Sequence, residues 1–188
     1  MSVRSTLRVA VLVVGALVMP AGCAGSTSPS FPVTTPIPAQ CPALLAAGGP
    51  AAPPVPAARA RYVPFTPMSV LLCFYAIPSQ GPAPAGESLA KQVLIADGAV
   101  ARRLADDLDA AARASENMNH GTVACGMALA QSFDAYFQGS GSSIQVRISG
   151  LPYCSSATNG PKQSMIANSD ILTEIQGLLG YDSWPGLP

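Results

Sequence analysis

Residues 129–149, LAQSFDAYFQGSGSSIQVRIS, decide the fold of this chain. Apolar and polar side chains alternate on both sides of a Gly/Ser stretch, which is the period-two pattern of strands with one buried face. The stretch GSGS at 139–142 supplies the glycines that a tight turn favours. The segment therefore predicts a β-hairpin. Asp134 and Arg147 are predicted to be cross-strand neighbours on its polar face, where an exposed ion pair would contribute little.

Two further strands and two helices flank this hairpin. Short apolar runs at 69–75 (SVLLCFY) and 92–96 (QVLIA) predict two strands. Apolar residues at three- and four-residue steps predict helices at 100–114 and 170–179, and residues 155–164 are predicted to form a loop. The order β-β-α-β-β-α predicts an α+β fold, a small antiparallel sheet with two helices packed on one face.

The chain contains five cysteines: Cys23, Cys41, Cys73, Cys125 and Cys154. The last four allow three pairings, of which we favour Cys41–Cys73 and Cys125–Cys154. The first would join the N-terminal linker to the first strand, and the second would join the two ends of the hairpin. Each disulfide would close a loop of about 30 residues and stabilise the fold by roughly 3–4 kcal/mol. Cys23 is then the odd cysteine, which needs a separate explanation.

The first residues have the features of an export signal. Two arginines precede an apolar run at 9–19, which has the length of a signal-peptide core and is too short to cross a bilayer. Residues 21–23, AGC, match the end of a lipoprotein signal, although Pro20 stands where Leu or Val is usual. We predict a signal peptide at 1–22 and lipid (palmitate-type) modification of Cys23. Ordinary cleavage nearby, which leaves this cysteine unmodified, is the alternative.

Composition then divides the exported chain. Residues 23–64 are rich in Pro, Ala, Gly, Ser and Thr, which predicts a disordered tether. Residues 65–180 are predicted to form the α+β domain, with two disulfides, and residues 181–188 a C-terminal tail. The 10 basic and 10 acidic residues balance, and no basic stripe is present, which argues against a nucleic-acid partner.

Several of these features occur together in a known group of proteins. They are Cys73-Phe74-Tyr75, the Ala/Leu helix at 100–114, Cys125 before the hairpin, Cys154 after it, and Asn159-Gly160. In this order they resemble exported actinobacterial (mycobacterial-type) lipoproteins of unknown function, over roughly residues 69–180. This chain lacks the usual Arg after the first strand cysteine and the Pro after Cys125. The resemblance implies export and a small disulfide-bonded α+β domain, and it implies no known reaction.

Patterns that could carry catalysis are weak. Residues 88–91, SLAK, match the S-x-x-K pattern of penicillin-recognising enzymes, and residues 115–117, SEN, match S-x-N. The third element, Lys-Ser/Thr-Gly, is missing, and the predicted domain is too short for that fold. His120, the single histidine, is predicted to lie in a solvated loop. The acidic run at 106–109, DDLD, is predicted to form a solvated helix face because it lacks the spacing of a calcium loop.

The remaining candidates concern binding. Met118, Met127 and Met165 are predicted to pack in the core rather than to line a pocket. Trp184 is predicted to pack back on the domain, with contact to a partner as the alternative.

The sequence thus predicts a cell-envelope lipoprotein, anchored to the cell membrane, with a non-enzymatic domain outside the cytoplasmic membrane. An envelope protein, a polymer or a small apolar ligand would be its partner. The alternatives are a secreted hydrolase, with Ser88 as the best available nucleophile, and a purely structural envelope component. We assign no catalytic residue, cofactor or metal ligand.

Overall fold

The computed structural model describes residues 38–45, 50, 56–77, 87–118, 131–150, 155–166 and 170–184. They lie in the larger of two compact units, Phe31–Pro188. The elements in chain order are β1 (Ser69–Ala76), β2 (Ser88–Ile95), α1 (Gly98–Met118), β3 (Gln131–Gly139), β4 (Ser142–Ser149), β5 (Ser156–Thr158), β6 (Gln163–Met165) and α2 (Asp170–Leu178). A short 3-10 turn, Pro56–Arg59, precedes them. No helix in this part of the chain is both long and apolar enough to cross a bilayer.

The strands form one antiparallel sheet in the order β2-β1-β3-β4-β5-β6. The hairpin that the sequence predicts is its centre, with Phe133 opposite Ile148 and Phe137 opposite Ile144. Ser140 and Gly141 form the two-residue turn, in which Gly141 has a φ of 70°, a conformation that glycine adopts without steric strain. The predicted hairpin and the α+β class are both confirmed.

One apolar core fills the space between the sheet and the helices. From the sheet it takes buried residues of β1, β3 and β4, which alternate along each strand as the pleat requires. From α1 it takes the buried stripe Ala101, Leu104, Ala105, Leu108 and Ala112, and from α2 it takes Ile171, Leu172 and Ile175. Both helices therefore contribute to the same core on the same face of the sheet.

The segment between β4 and α2 differs from its prediction. The predicted loop at 155–164 contains β5 and β6, which extend the sheet by two short strands. Their three-residue runs of Ser, Ala, Thr, Gln and Met carry no strand pattern in the sequence. β5 forms because it pairs with β4, with Thr158 opposite Arg147, and because Ala157 is fully buried in the core.

The folded part also begins earlier than residue 65. Ala58, Tyr62 and Val63 are fully buried in the core, although they lie in the stretch that the sequence predicts as a tether. Further upstream, Cys41 forms the predicted disulfide with Cys73, with a Cα–Cα distance of 5.7 Å. Leu44 then forms a β-bridge with Ser88.

Cys125 and Cys154, the partners of the second predicted disulfide, lie outside the described residues, as do Cys23 and His120. At the other end of the chain, Tyr181 and Trp184 pack against Phe74, with ring centroids 5.6 and 5.7 Å apart. The predicted packing of Trp184 on the domain is confirmed, and with 6% exposure this side chain offers no binding surface.

Candidate functional site

The segment that precedes β1 is hydrogen-bonded to α1, and it forms one wall of a groove. We call residues 57–67 the N-terminal strap. The backbone N–H of Tyr62 donates a hydrogen bond of 2.9 Å to the buried carboxylate of Asp109 in α1, and its phenol donates one of 3.0 Å to the carbonyl of Ala157. Tyr62 thus connects α1 to β5 through the centre of the core.

Asn159 fastens the strap from the other side. Its side-chain amide donates to the carbonyls of Ala58, Arg61 and Tyr62 at 3.0–3.1 Å. Its Oδ1 accepts the backbone N–H of Lys162 at 2.9 Å. Because Asn159 is fully buried, these bonds satisfy polar groups that would otherwise lose water without replacement. The strap is therefore held in one position.

The guanidinium of Arg61, a residue of the strap, binds two carboxylates of α1. Its Nε donates to Asp109 at 2.9 Å, and its Nη2 donates to Asp106 at 2.7 Å. The hydrogen bond that Arg61 donates to Asp109 is the main cause that raises the pKa of Arg61 above its ordinary value. Lys162 Nζ lies 3.5 Å from Asp109, so this carboxylate faces two cations.

Between the strap and α1 lies an open cavity of about 310 Å³. Arg61 and residues 64–67, PFTP, line one side, and Arg102, Ala105 and Asp106 line the other. Within the described residues, no carboxylate forms an ion pair with Arg102. The groove thus offers two guanidinium groups, which stay protonated, and the carboxylate of Asp106, beside the side chains of Pro64 and Phe65. The two guanidinium groups are suited to binding an anion.

A second polar cluster lies on the face of the sheet that points away from the helices. Arg147 donates to both carboxylate oxygens of Asp134, at 2.8 and 3.0 Å. The two residues are register partners, as predicted, but they are buried rather than exposed, at 7% and 1% exposure. Burial lowers the pKa of Arg147, but the hydrogen bonds and charge of Asp134 outweigh it and leave the pKa raised.

Four side chains surround this ion pair. Tyr136 donates a long hydrogen bond of 3.5 Å to Asp134, and burial raises its pKa to about 12. Ser132 donates to Glu87 Oε1 at 3.2 Å, and burial raises the pKa of this carboxyl. Tyr75 is fully buried, and among the described side chains its hydroxyl and Glu87 Oε2 have no hydrogen-bond partner. Burial also raises the pKa of Tyr75, so its phenol stays protonated.

The serine and lysine of the S-x-x-K pattern are used elsewhere. Ser88 donates to the carbonyl of Ala76 at 3.4 Å, and the Lys91 ammonium lies 4.6 Å from the ring centroid of Tyr181. Among the hydrogen bonds of the described residues, none joins Ser88 to Lys91. Among the described residues, no hydrogen bond links Ser88 to a side chain that could act as its base.

The prediction that the acidic residues at 106–109 of α1 are solvated is wrong for Asp109. Asp109 is 1% exposed and binds the strap, because the helix turns this position toward Tyr62. Across the described part of the chain, no group of three or more His, Cys, Asp or Glu residues could hold a metal ion.

Met165, one of the methionines predicted to pack in the core, is half-buried in β6. Met127 and the side chain of Met118 lie outside the described residues.

Sequence reasoning missed the residues that build the groove. Arg61 and Tyr62 follow a long Pro/Ala stretch, and this change of composition was the available signal for the start of the domain. Asn159-Gly160 was part of the resemblance, but its contacts with the strap were not predicted. It is a common hairpin dipeptide, and Gly160 has a φ of 95°.

No protein-family model, curated protein or solved structure matches the chain.

Proposed function

We propose that the chain is an exported lipoprotein, anchored through Cys23 at the outer face of the cytoplasmic membrane, whose α+β domain binds a partner without catalysis. The groove between the strap and α1 is the observation that supports the binding role. Arg102 lines this open cavity, and no carboxylate of the described residues forms an ion pair with it. A cationic group left available in a preformed cavity favours recognition of a ligand.

The disulfide supports the proposed location. Cys41–Cys73 joins residues 32 positions apart, and both cysteines are buried. Stable structural disulfides are typical of oxidising compartments outside the cytoplasm. Together with the signal-like N-terminus, this bond favours export over a cytoplasmic location.

The polar groups elsewhere support binding over hydrolysis. Asp109, Asp134 and Lys91 each serve a structural contact: with the strap, with Arg147 and with Tyr181 respectively. Ser88, the nucleophile of the alternative hydrolase, donates its hydroxyl to a backbone carbonyl. These contacts stabilise the domain.

Membrane extraction followed by intact-mass measurement tests the location. The wild-type chain is expected in the membrane fraction with a diacylglyceryl mass increment on Cys23. Cys23→Ser is expected to abolish the increment, whereas Pro20→Leu, which restores the usual residue before Ala21, is expected to preserve it. External protease should degrade the domain on intact spheroplasts. A wild-type chain recovered in the cytosol with an unmodified Cys23 would overturn the anchor.

A further inference from the structure

We infer that the groove between the strap and α1 binds a small ring-shaped ligand that carries one carboxylate. This inference deepens the proposed binding function and rests on it for its biological setting. Its chemistry follows from the charges, walls and size of the groove.

The charges around the groove leave one cation in excess. Among the residues that line the groove, Arg61 and Arg102 are the cations and Asp106 is the carboxylate. Asp109 is buried and bound to the strap, whereas the side chain of Asp106 is 68% exposed and, among the described residues, forms an ion pair with Arg61 alone. A ligand with one negative charge would therefore balance the site without displacing a buried bond.

The cationic group favours a carboxylate. A guanidinium is planar and presents parallel N–H donors that match the two oxygens of a carboxylate. Arg102 lies over the first turn of α1, where its Nη1 would be 3.3 Å from a β-carbon added at Gly98. The guanidinium therefore lies at the N-terminal end of the groove, beside the strap.

The opposite wall is suited to an apolar ring. Pro64 and Phe65 are half-buried and present apolar surface, Pro67 lines the same side but is buried, and Thr66 is exposed. Phe65 itself is held in place, because its ring lies directly over Gly139. A volume of about 310 Å³ is at the lower limit of small-molecule sites, so the groove accommodates one small ring rather than a polymer segment.

The hydrogen bonds of the strap make this site preformed. Tyr62, Asp109 and Asn159 fix the strap before any ligand arrives. A ligand then loses little binding free energy to ordering the protein, which is the condition under which a small molecule gains measurable affinity.

Benzoate, with benzamide as its neutral counterpart, tests the inference. The full chain, labelled with nitrogen-15 and extracted in detergent, is titrated with each compound at neutral pH and followed by NMR. We expect benzoate to shift the amide signals of the strap and of the first turns of α1, and benzamide to bind about tenfold more weakly, because a charged hydrogen-bond partner is lost. Added salt should weaken benzoate alone.

Arg102→Gln and its neighbour Arg103→Gln form a matched pair. Arg103 lies next in α1 but points to Glu174, to which its Nε donates at 2.7 Å. Arg102→Gln is expected to weaken benzoate binding about tenfold, and Arg103→Gln to leave it unchanged. The spectrum without ligand shows directly that each variant is folded.

Three results would overturn the inference: no benzoate shifts in the groove, equal binding of benzamide, or equal losses in the two arginine variants. These outcomes are separable from failure of the proposed function. A membrane-anchored chain that ignores benzoate keeps the anchor and loses the ligand. A cytosolic chain that binds benzoate through Arg102 keeps the ligand site and loses the anchor.

Discussion

The carboxylate of Asp109 accepts the backbone N–H of Tyr62 at 2.9 Å, across 47 positions of sequence. This bond joins the strap to α1 at a point where both partners are buried. It makes residues 57–67 part of the folded domain, and it places Arg61 opposite Arg102 across the groove. Stability and the candidate binding site therefore depend on the same contact.

Replacing Asp109 is expected to destabilise the domain strongly. Asp109→Ala removes the acceptor of the Tyr62 N–H and leaves that buried donor unsatisfied beside Lys162, with a loss of about 3 kcal/mol in the free energy of unfolding. Urea denaturation followed by Trp184 fluorescence measures the change. Asp106→Ala, on the same helix, is the control, because its exposed ion pair with Arg61 contributes only about 0–1 kcal/mol. Equal losses in the two variants would refute the role of Asp109.

The sequence predicted the elements in which apolar residues recur at a regular spacing. Alternation in β3 and β4, and the apolar stripe of α1, are local patterns that burial against one core imposes. In β5, β6 and the strap, apolar residues do not recur at a regular spacing. Ala157 and Tyr62 are buried only because distant segments, β4 and α1, provide their contacts, so no local window of sequence contains the cause.

For the same reason, the sequence predicts one cluster of polar residues better than the other. Asp134 and Arg147 could be paired from the sequence, because a two-residue turn fixes the hairpin register. Their burial could not be predicted, since the pattern only distinguishes polar from apolar positions. The groove unites residues of the strap and α1 that are some 40 positions apart, and nothing in either segment alone indicates the other.

Gly139 should tolerate no side chain. A β-carbon there would lie 2.7 Å from the Phe65 ring and 2.8 Å from the Thr66 carbonyl, so Gly139→Ala must shift the strap and is expected to lower stability by about 1–3 kcal/mol. Gly177→Ala is the matched control: a β-carbon in α2 meets nothing within 4 Å, and helix propensity should raise stability by roughly 0.5–1 kcal/mol. Thermal unfolding of both variants measures the difference, and a neutral Gly139→Ala would contradict the close approach.

Glu87 should make stability depend on pH. Burial raises the pKa of this carboxyl above its ordinary value of 4.5, so the folded state binds the proton more tightly than the unfolded state. Stability is then lost as the pH rises from 4.5 through the raised pKa, where the buried carboxyl ionises. Glu87→Gln removes this loss and is expected to gain stability relative to the wild type at neutral pH but not below 4.5.

Ser132→Ala provides the opposite change. The hydroxyl of Ser132 donates to Glu87 and lowers the pKa of this carboxyl, so its removal should raise that pKa further and enlarge the loss of stability at neutral pH. Denaturation midpoints measured across the acidic and neutral range compare the three proteins. Parallel pH profiles for the wild type and Glu87→Gln would show that this carboxyl is not the titrating group.

The buried ion pair of Asp134 and Arg147 is expected to be replaceable as a pair but not one partner at a time. Arg147→Met leaves a buried carboxylate without its cation and should lower the free energy of unfolding by about 3–5 kcal/mol. The double variant Asp134→Leu/Arg147→Met removes both charges, and apolar replacement of a buried pair is often neutral, so most of the loss should be recovered. A double-mutant cycle in urea, completed by the single variant Asp134→Leu, measures this coupling.

Arg103→Met, which breaks the exposed pair with Glu174, serves as the control and should change stability by about 0–1 kcal/mol. If the double variant instead loses the sum of the single losses, the two buried charges act independently, and the direct hydrogen bonds between them do not account for their burial.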